Sequence, residues 1–347
     1  MHEEILEGLA FTGDEFTPRN VRIVIENGRI SEMTDIKSPS PQWIVPAFFN
    51  AHTHIADTVG MDTKIDRPLA ELVAPPNGLK HRLLRETPPD RLVSAMRDTI
   101  SFMKATGTLG FADFREGGKA GVDLLDQAAD PSVSMFVFGR DGGEFAAQGF
   151  GLSSAKGTAA EEEAVRHAKA AGKLFAVHAG EAGLKDIEAA FSLDPNLIIH
   201  ATHFTGSHIR EAADRDIPIV ICPRSNWLLG ATADALRPPV HEMLDAGCRV
   251  FLGTDNVMFV PPDMFAEAAF LQTVYKIDSP DILRMMTDGF SLLGRRGRIE
   301  VGEPADLILL DGGYAVRWTQ DPLTSLISRL GSRGITRVIS GGNTNSL

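Results

Sequence analysis

The chain has 347 residues, 43% of them hydrophobic and 23% charged, with a formal net charge of −12. This composition supports a full-sized core and excludes disordered, collagenous and coiled-coil classes. The acidic balance argues against a phosphate backbone or an anionic membrane as partner. Two cysteines, Cys222 and Cys248, form neither a disulfide framework nor a CxxC metal pair, which fits a reducing cytoplasm. The opening Met-His-Glu-Glu-Ile-Leu is acidic where a signal peptide is basic. No apolar run approaches the ~18–20 residues of a membrane helix. The expectation is a cytoplasmic protein with a small-molecule substrate, no nucleic-acid partner and no membrane partner.

In chain order, Val21, Ile23 and Ile25 alternate with Arg22, Val24 and Glu26, and Asn27-Gly28 follows as a hairpin turn signal. Ser38-Pro39-Ser40-Pro41 reads as a connector. From Trp43 onward, short apolar runs alternate with helical segments. Eight strands are predicted, at 44–54, 107–116, 133–140, 149–154, 174–181, 197–204, 217–226 and 249–256. Asp90 caps a predicted helix with Val93, Met96, Ile100 and Met103 on one face. Further helices are predicted at 160–171, 207–214, 239–246, 263–276 and 280–293. Strand-then-helix repetition implies a parallel sheet, and eight units imply an α/β fold of the (β/α)8 TIM-barrel type. After Gly294, apolar strands at 305–311 and 335–339 return to the N-terminal strands in a small β-sandwich formed by both termini. The division expected is 1–45 and 295–347 for the sandwich and 46–294 for the barrel. The tail 341–347 is expected to be mobile at its end.

Residues at the C-terminal ends of barrel strands face the active site. His52 and His54 end the first strand, and the period-two pleat points both to one side. His178 and Glu181 end the fifth, His200 and His203 the sixth, and Asp255 the eighth. Each alone can be a hydrogen-bonded buried group, but an apolar run that stops abruptly in ionisable residues is costly to explain by packing. Imidazoles with one carboxylate suit a single divalent metal, zinc or else ferrous iron. Such a metal lowers the pKa of water from about 15.7 to about 7. Glu181 can then take a proton from the attacking water and deliver it to a leaving nitrogen.

These segments resemble the amidohydrolase superfamily, in its deaminase and chlorohydrolase branch, over nearly the whole chain. Val45-Pro46-Ala47-Phe48-Phe49-Asn50-Ala51-His52-Thr53-His54 resembles the opening Pro-Gly-x-x-(Asn/Asp)-x-His-x-His, with Ala47 in place of glycine. His178-Ala179-Gly180-Glu181 is similar to the His-Ala-Gly-Glu of adenosine deaminases. Cys222-Pro223-Arg224-Ser225-Asn226-Trp227-Leu228-Leu229 resembles Cys-Pro-x-Ser-Asn-x-x-Leu, and Gly253-Thr254-Asp255 the eighth-strand motif. Gly297 to Leu307 resembles the return into the sandwich.

The resemblance implies that His52, His54, His178 and Asp255 bind one metal, with Asp255 also accepting a proton from water. It implies that Glu181 protonates a ring nitrogen and that His200, with His203 as the alternative, orients the nucleophile or approaches the metal. Ser225, Asn226 and His203 are candidates for substrate contact. His81 and Arg82, in the segment after His54, stand either as readers of a polar or anionic substituent or as a charged surface face. Lys156 is the nearest candidate for the carbamylated lysine of binuclear relatives, but it falls beyond its strand, so a mononuclear site is expected. The activity implied is hydrolytic deamination of a purine, pyrimidine or pterin-like heterocycle. The alternatives are hydrolysis of a cyclic amide, an imidazolone or a ring C–Cl bond, or a non-catalytic barrel scaffold. A homo-oligomer is expected by analogy alone.

Overall fold

The computed structural model describes residues 3–37 and 40–341. Ser38 and Pro39 of the expected connector, and the tail beyond Gly341, lie outside the described residues. Val21, Ile23 and Ile25 are the buried members of strand Thr17–Glu26, as their alternation predicts. Asn27 and Gly28 take φ of 51° and 75°, the paired left-handed conformation of a tight hairpin, and the chain returns as Arg29–Asp35. Glu3–Thr12 pairs antiparallel with Thr17–Glu26 and parallel with Gln42–Pro46. Leu307–Asp311 then pairs with Gln42–Pro46, and Ile335–Ile339 with Leu307–Asp311, both antiparallel. The two ends of the chain therefore meet in one six-stranded sheet. Short helical turns, Ala315–Trp318 and Pro322–Ser325, link its last two strands.

The second sheet is parallel. Phe48–His54, Thr108–Arg115, Ser134–Gly139, Gly149–Leu152, Leu174–Ala179, Leu197–His200, Ile219–Ile221 and Val250–Leu252 pair in chain order. The eighth strand resumes as Asp255–Asn256 and pairs with Thr53 and His54 of the first, which brings the ring of strands back on itself. Asn50 locks that seam, donating to Thr254 Oγ1 at 2.7 Å and accepting the Thr254 N–H at 3.0 Å. Gly253 permits it: a Cβ there would lie 2.8 Å from His52 Cβ and 2.9 Å from the His52 nitrogen.

Two predicted strands divide differently. Residues 44–54 break at Ala47, whose N–H leaves the barrel register to bond Asp306 O at 2.9 Å, so the first half belongs to the terminal sheet. Residues 217–226 form a strand only at Ile219–Ile221, because Pro223 opens helix Pro223–Leu228 and proline suits a first helical turn. Ser225 and Asn226 thus ride on a helix.

Helices Pro89–Ala105, Ala159–Ala170, Gly206–Asp214, Val240–Asp245, Met264–Phe270 and Ser279–Thr287 pack outside the strands near their predicted places. Thr158 and Glu161 form a capping box that starts the second of these. Gly118–Ala128 and Ile187–Ser192 are additional; Gly117, Gly118 and Gly121 make the former read as loop. Inside the ring, Phe49, Ala51, Ala112, Phe114, Phe136, Phe138, Ala176, Ile199 and Phe251 form a separate apolar core. This fills the barrel below its mouth. Over the mouth, the excursion after the first strand carries helices Leu69–Val73 and Leu79–Glu86. Among the described residues no helix is long and apolar enough to cross a membrane.

Candidate active site

Alternation sorts side chains between the barrel lumen and the surrounding helices. Ala112 and Phe114 face the lumen, and the same parity carries Glu116 to the mouth. Phe136 and Phe138 lead in the same way to Arg140, and Leu174 and Ala176 to His178. Each line is apolar at the floor and ionisable at the top.

The first strand departs from this rule. Phe49 and Ala51 face the lumen, so strict alternation would turn His52 and His54 outward. Between Asn50 and Thr53 the first strand advances three residues while its partner advances two, from Phe111 to Asp113. This extra residue is a β-bulge, and it returns both imidazoles to the interior. The sixth strand ends in His200 and Ala201 with φ of 75° and 48°, and Asp255 has φ of 64°. Such values are uncommon for residues other than glycine and cluster at functional sites.

These devices draw the polar groups together. His52 Nε2 lies 3.2 Å from Asp255 Oδ1 and 3.3 Å from His178 Nε2, and His54 Nε2 lies 3.7 Å from the same Asp255 oxygen. Potential ligand atoms of His52, His54 and Asp255 fall within 4.8 Å of one another, as do those of His52, His178 and His200, and of Glu181, His200 and Asp255. The outward ring nitrogens of His54, His178 and His200 face acceptors, while His52 Nδ1 is buried without a hydrogen-bond partner. His54 Nδ1 faces Phe114 O at 3.1 Å and Glu116 Oε1 at 3.0 Å, His178 Nδ1 faces Leu152 O at 3.0 Å, and His200 Nδ1 faces Asn226 Oδ1 at 3.2 Å. For His54 and His200 these acceptors place the proton on Nδ1 and leave the Nε2 lone pair turned inward, whereas His178 Nδ1 also lies 3.2 Å from an Arg140 nitrogen. Phe114 is the apolar floor, its ring centroid 4.5 Å from that of His52 and 5.1 Å from that of His178.

Burial sets the charge states. It lowers the pKa of His52 to about 4 against the pull of Asp255. It lowers that of His54 to about 3, with Lys80 adding to the effect. His178 is held well below the ordinary imidazole value by burial and by Arg140. All three rings are therefore neutral at pH 7, as a metal ligand must be. Burial alone would raise Asp255, but the hydrogen bond from His52, with the imidazoles of His200 and His54 close by, holds it well below the carboxylate range. Glu181 goes the other way, raised by burial against the pull of His200, with Asp255 adding to the rise. One carboxylate is kept ionised and its neighbour is biased towards the acid, a division suited to base and acid roles.

Ser225 Oγ donates to Asp255 Oδ2 at 2.6 Å, and Asn226, which accepts from His200, donates onward to Thr202 Oγ1 at 2.5 Å. Their polar atoms thus support Asp255 and His200. Arg224 Nε, 3.0 Å from the buried Glu267 Oε1, anchors the helix that carries them. Glu181 Oε2 sits 3.7 Å from His200 Nε2 with a quarter of its side chain exposed. Its turn is held by Asp186, which accepts from the Gly180 N–H and from Ser154, each at 3.0 Å. His203 turns to Ala231 O at 3.1 Å, outside the cluster. Lys156 is exposed in its loop.

A second set of charges lies beside the first. Lys80 Nζ is 2.9 Å from Asp57 Oδ2 and 2.8 Å from Glu116 Oε1. Arg115 donates to Glu116 Oε2 at 2.9 Å and lies 3.3 Å from Asp113 Oδ2. Arg140 lies 3.3 Å from Glu116 Oε1, with its other terminal nitrogen 3.2 and 3.4 Å from the His178 ring nitrogens. Burial would raise Glu116, yet Lys80 and His54 hold it well below the ordinary value, while burial pushes Asp57 up to about 7 against the pull of Lys80. The signal for Glu116 and Arg140 is the lumen parity of the phenylalanines before them. Of the neighbouring residues singled out in the sequence, Arg82 is exposed. His81 bonds Val73 O at 3.1 Å and lines a cavity of about 420 Å3 with Leu84, Met96, Leu124 and Glu116.

Comparison with known proteins follows the same lines. Residues 147–344 match the Amidohydrolase family. A relative from Methanothermobacter thermautotrophicus, named "Putative aminohydrolase", is 34% identical over 96% of this chain and 97% of its own. An adenosine deaminase structure from Xanthomonas campestris with bound zinc superposes with a TM-score of 0.77 at 20% identity, covering 97% of this chain and 91% of that one. A zinc complex of atrazine chlorohydrolase from Arthrobacter aurescens superposes with a TM-score of 0.79 at 18% identity, covering 97% and 94%. At these identities the two structures speak for the fold.

Proposed function

The chain belongs to the amidohydrolase family, and from that premise we propose that it is a metal-dependent hydrolytic deaminase of an amino-substituted heterocycle, a purine, pyrimidine or pterin-like ring. The observation that carries this reading is a set of interlocking clusters, His52 with His54 and Asp255, His52 with His178 and His200, and Glu181 with His200 and Asp255. Neutral, inward-facing imidazoles and an ionised carboxylate fit a divalent cation, and His52, His54, His178 and Asp255 would hold it. Zinc suits this nitrogen and oxygen donor set, with ferrous iron the alternative. When bound, such an ion brings the pKa of water to about 7.

The protein's own groups supply the rest. Asp255, oriented by Ser225, accepts a proton from the attacking water. His200, its ring fixed by Asn226, orients that water. Glu181 protonates the ring nitrogen next to the carbon under attack, takes the hydroxyl proton of the adduct and passes it to the departing amine, and the proton held by Asp255 then restores the Glu181 acid. Water adds at the amino-bearing carbon, the exocyclic C–N bond breaks, and ammonia leaves while the ring retains the oxygen.

Ammonia release from a panel of aminopurines, aminopyrimidines and their nucleosides, with metal content assayed alongside, tests the reading. Glu181→Gln is expected to keep its metal and lose about 10²–10⁴-fold in turnover. Near-normal turnover in that variant would remove Glu181 from its assigned role. Chloride release or ring opening in place of ammonia would transfer the same residues to the C–Cl or cyclic-amide reaction.

A further inference from the structure

Glu116 is not among the groups that meet at the cluster, yet it touches one of them. Its Oε1 lies 3.0 Å from His54 Nδ1, 2.8 Å from Lys80 Nζ and 3.3 Å from Arg140 Nη1, and its Oε2 accepts from Arg115 at 2.9 Å. Both oxygens face protein donors, so this carboxylate is tied into the protein on each side. What it does is hold an imidazole. His54 Nδ1 faces two acceptors, Glu116 Oε1 and Phe114 O, neither of which carries a hydrogen. The ring must put its proton there and turn its Nε2 lone pair toward Asp255.

Lys80 gives this contact a second meaning. It comes from helix Leu79–Glu86, on the excursion that crosses the barrel mouth, and is 3% exposed although Arg82 and Glu86 of the same helix face solvent. Its ammonium bridges Asp57, three residues after His54, and Glu116, one residue past the end of the second strand. A single carboxylate oxygen therefore receives both the docked excursion and the imidazole.

We propose that Glu116 is a positioning residue that orients His54 for metal capture, and that Lys80 holds Glu116 in place, so that metal affinity depends on the docking of the excursion over the mouth. This rests on the reading that the cluster binds a divalent cation. Carboxylates that hold ligand imidazoles typically contribute about 10–100-fold to metal affinity. A purely structural ion-pair network would lower stability in every variant and leave metal affinity where it was.

The test is competition for Zn²⁺ between a chromophoric chelator and the purified full chain, with thermal melting of each metal-free variant recorded in parallel. Glu116→Ala is expected to weaken Zn²⁺ binding by about 10–100-fold. Glu116→Gln, close in shape and still offering His54 an acceptor oxygen, should recover part of that loss and remains informative if the alanine variant does not fold. Lys80→Met should weaken binding by a smaller factor, and the solvent-facing Glu86→Gln should leave it unchanged. Wild-type affinity in folded Glu116→Gln and Lys80→Met would overturn this proposal alone, as would an effect of Glu86→Gln equal to that of Lys80→Met. A wild-type chain without Zn²⁺ affinity would overturn the metal reading of the site and this proposal with it.

Discussion

The second, third and fifth barrel strands deliver Glu116, Arg140 and His178 to the mouth by plain alternation, whereas the first, sixth and eighth deliver His52 and His54, His200 and Asp255 through a bulge or a positive φ. The pleat alone sets a side chain's height and direction in steps of one residue, which suffices for groups that line a wall. Groups that must meet at one point need finer adjustment, and most of those here obtain it from irregular backbone. His178 is the member of the cluster that a regular strand supplies, and the other groups are bent toward it.

Deleting Ala51 should break this distinction most severely. Without the extra residue the first strand returns to simple alternation: Thr53 stays opposite Asp113 and both imidazoles stay inside, but the local bend that aims His52 is lost. Zn²⁺ binding should fall by about 100-fold, as measured by metal stoichiometry after dialysis. A folded deletion variant that keeps its metal would show that the bulge does not set the aim of His52. Gly253→Ala should come next. Its new methyl meets the backbone and Cβ of His52 across the seam, and a loss of about 3 kcal/mol in denaturant unfolding is expected. An unaffected midpoint would mean that the seam is looser than its distances imply. The smallest effect belongs to Ala201→Gly. Relief of the positive φ, offset by greater freedom in the unfolded chain, should stabilise by about 0.5 kcal/mol. A clear destabilisation would place the strain elsewhere than at Ala201.

The groups that converge on the cluster were legible in the sequence because each ends an apolar run in an ionisable residue: Val177 before His178, Ile199 before His200, Leu252-Gly253-Thr254 before Asp255. The pairing of the two ends of the chain was legible for a related reason, since Leu307-Ile308-Leu309-Leu310 has too much apolar surface for a solvated tail. Glu116 and Arg140 were not singled out although each closes a predicted strand, because beside Arg115 and before Asp141-Gly142 a charged strand end carries no mark that separates a buried group from a solvated one. Lys80 is the most instructive case. In Leu79-Lys80-His81-Arg82 it has the appearance of a solvated face, and attention falls on its neighbours, yet it is the member turned inward. A buried lysine has no local mark when its partners, Asp57 and Glu116, lie 23 and 36 positions away. Ser225 and Asn226 were placed correctly in the chain but on a strand; the helix turns them to Asp255 and His200.

The six-stranded sheet has a consequence for synthesis. Glu3–Thr12, Thr17–Glu26 and Arg29–Asp35 can form their meander as soon as they leave the ribosome, and Gln42–Pro46 can add beside Glu3–Thr12, but its other edge must wait for Leu307–Asp311. Until then an apolar strand, with Trp43, Ile44 and Val45 buried in the finished protein, presents an unpaired edge. Open edges of this kind invite pairing between nascent chains. Completion of the sheet thus marks a chain translated past residue 311, and any product cut short before residue 307 carries an exposed edge that a protease or chaperone can recognise.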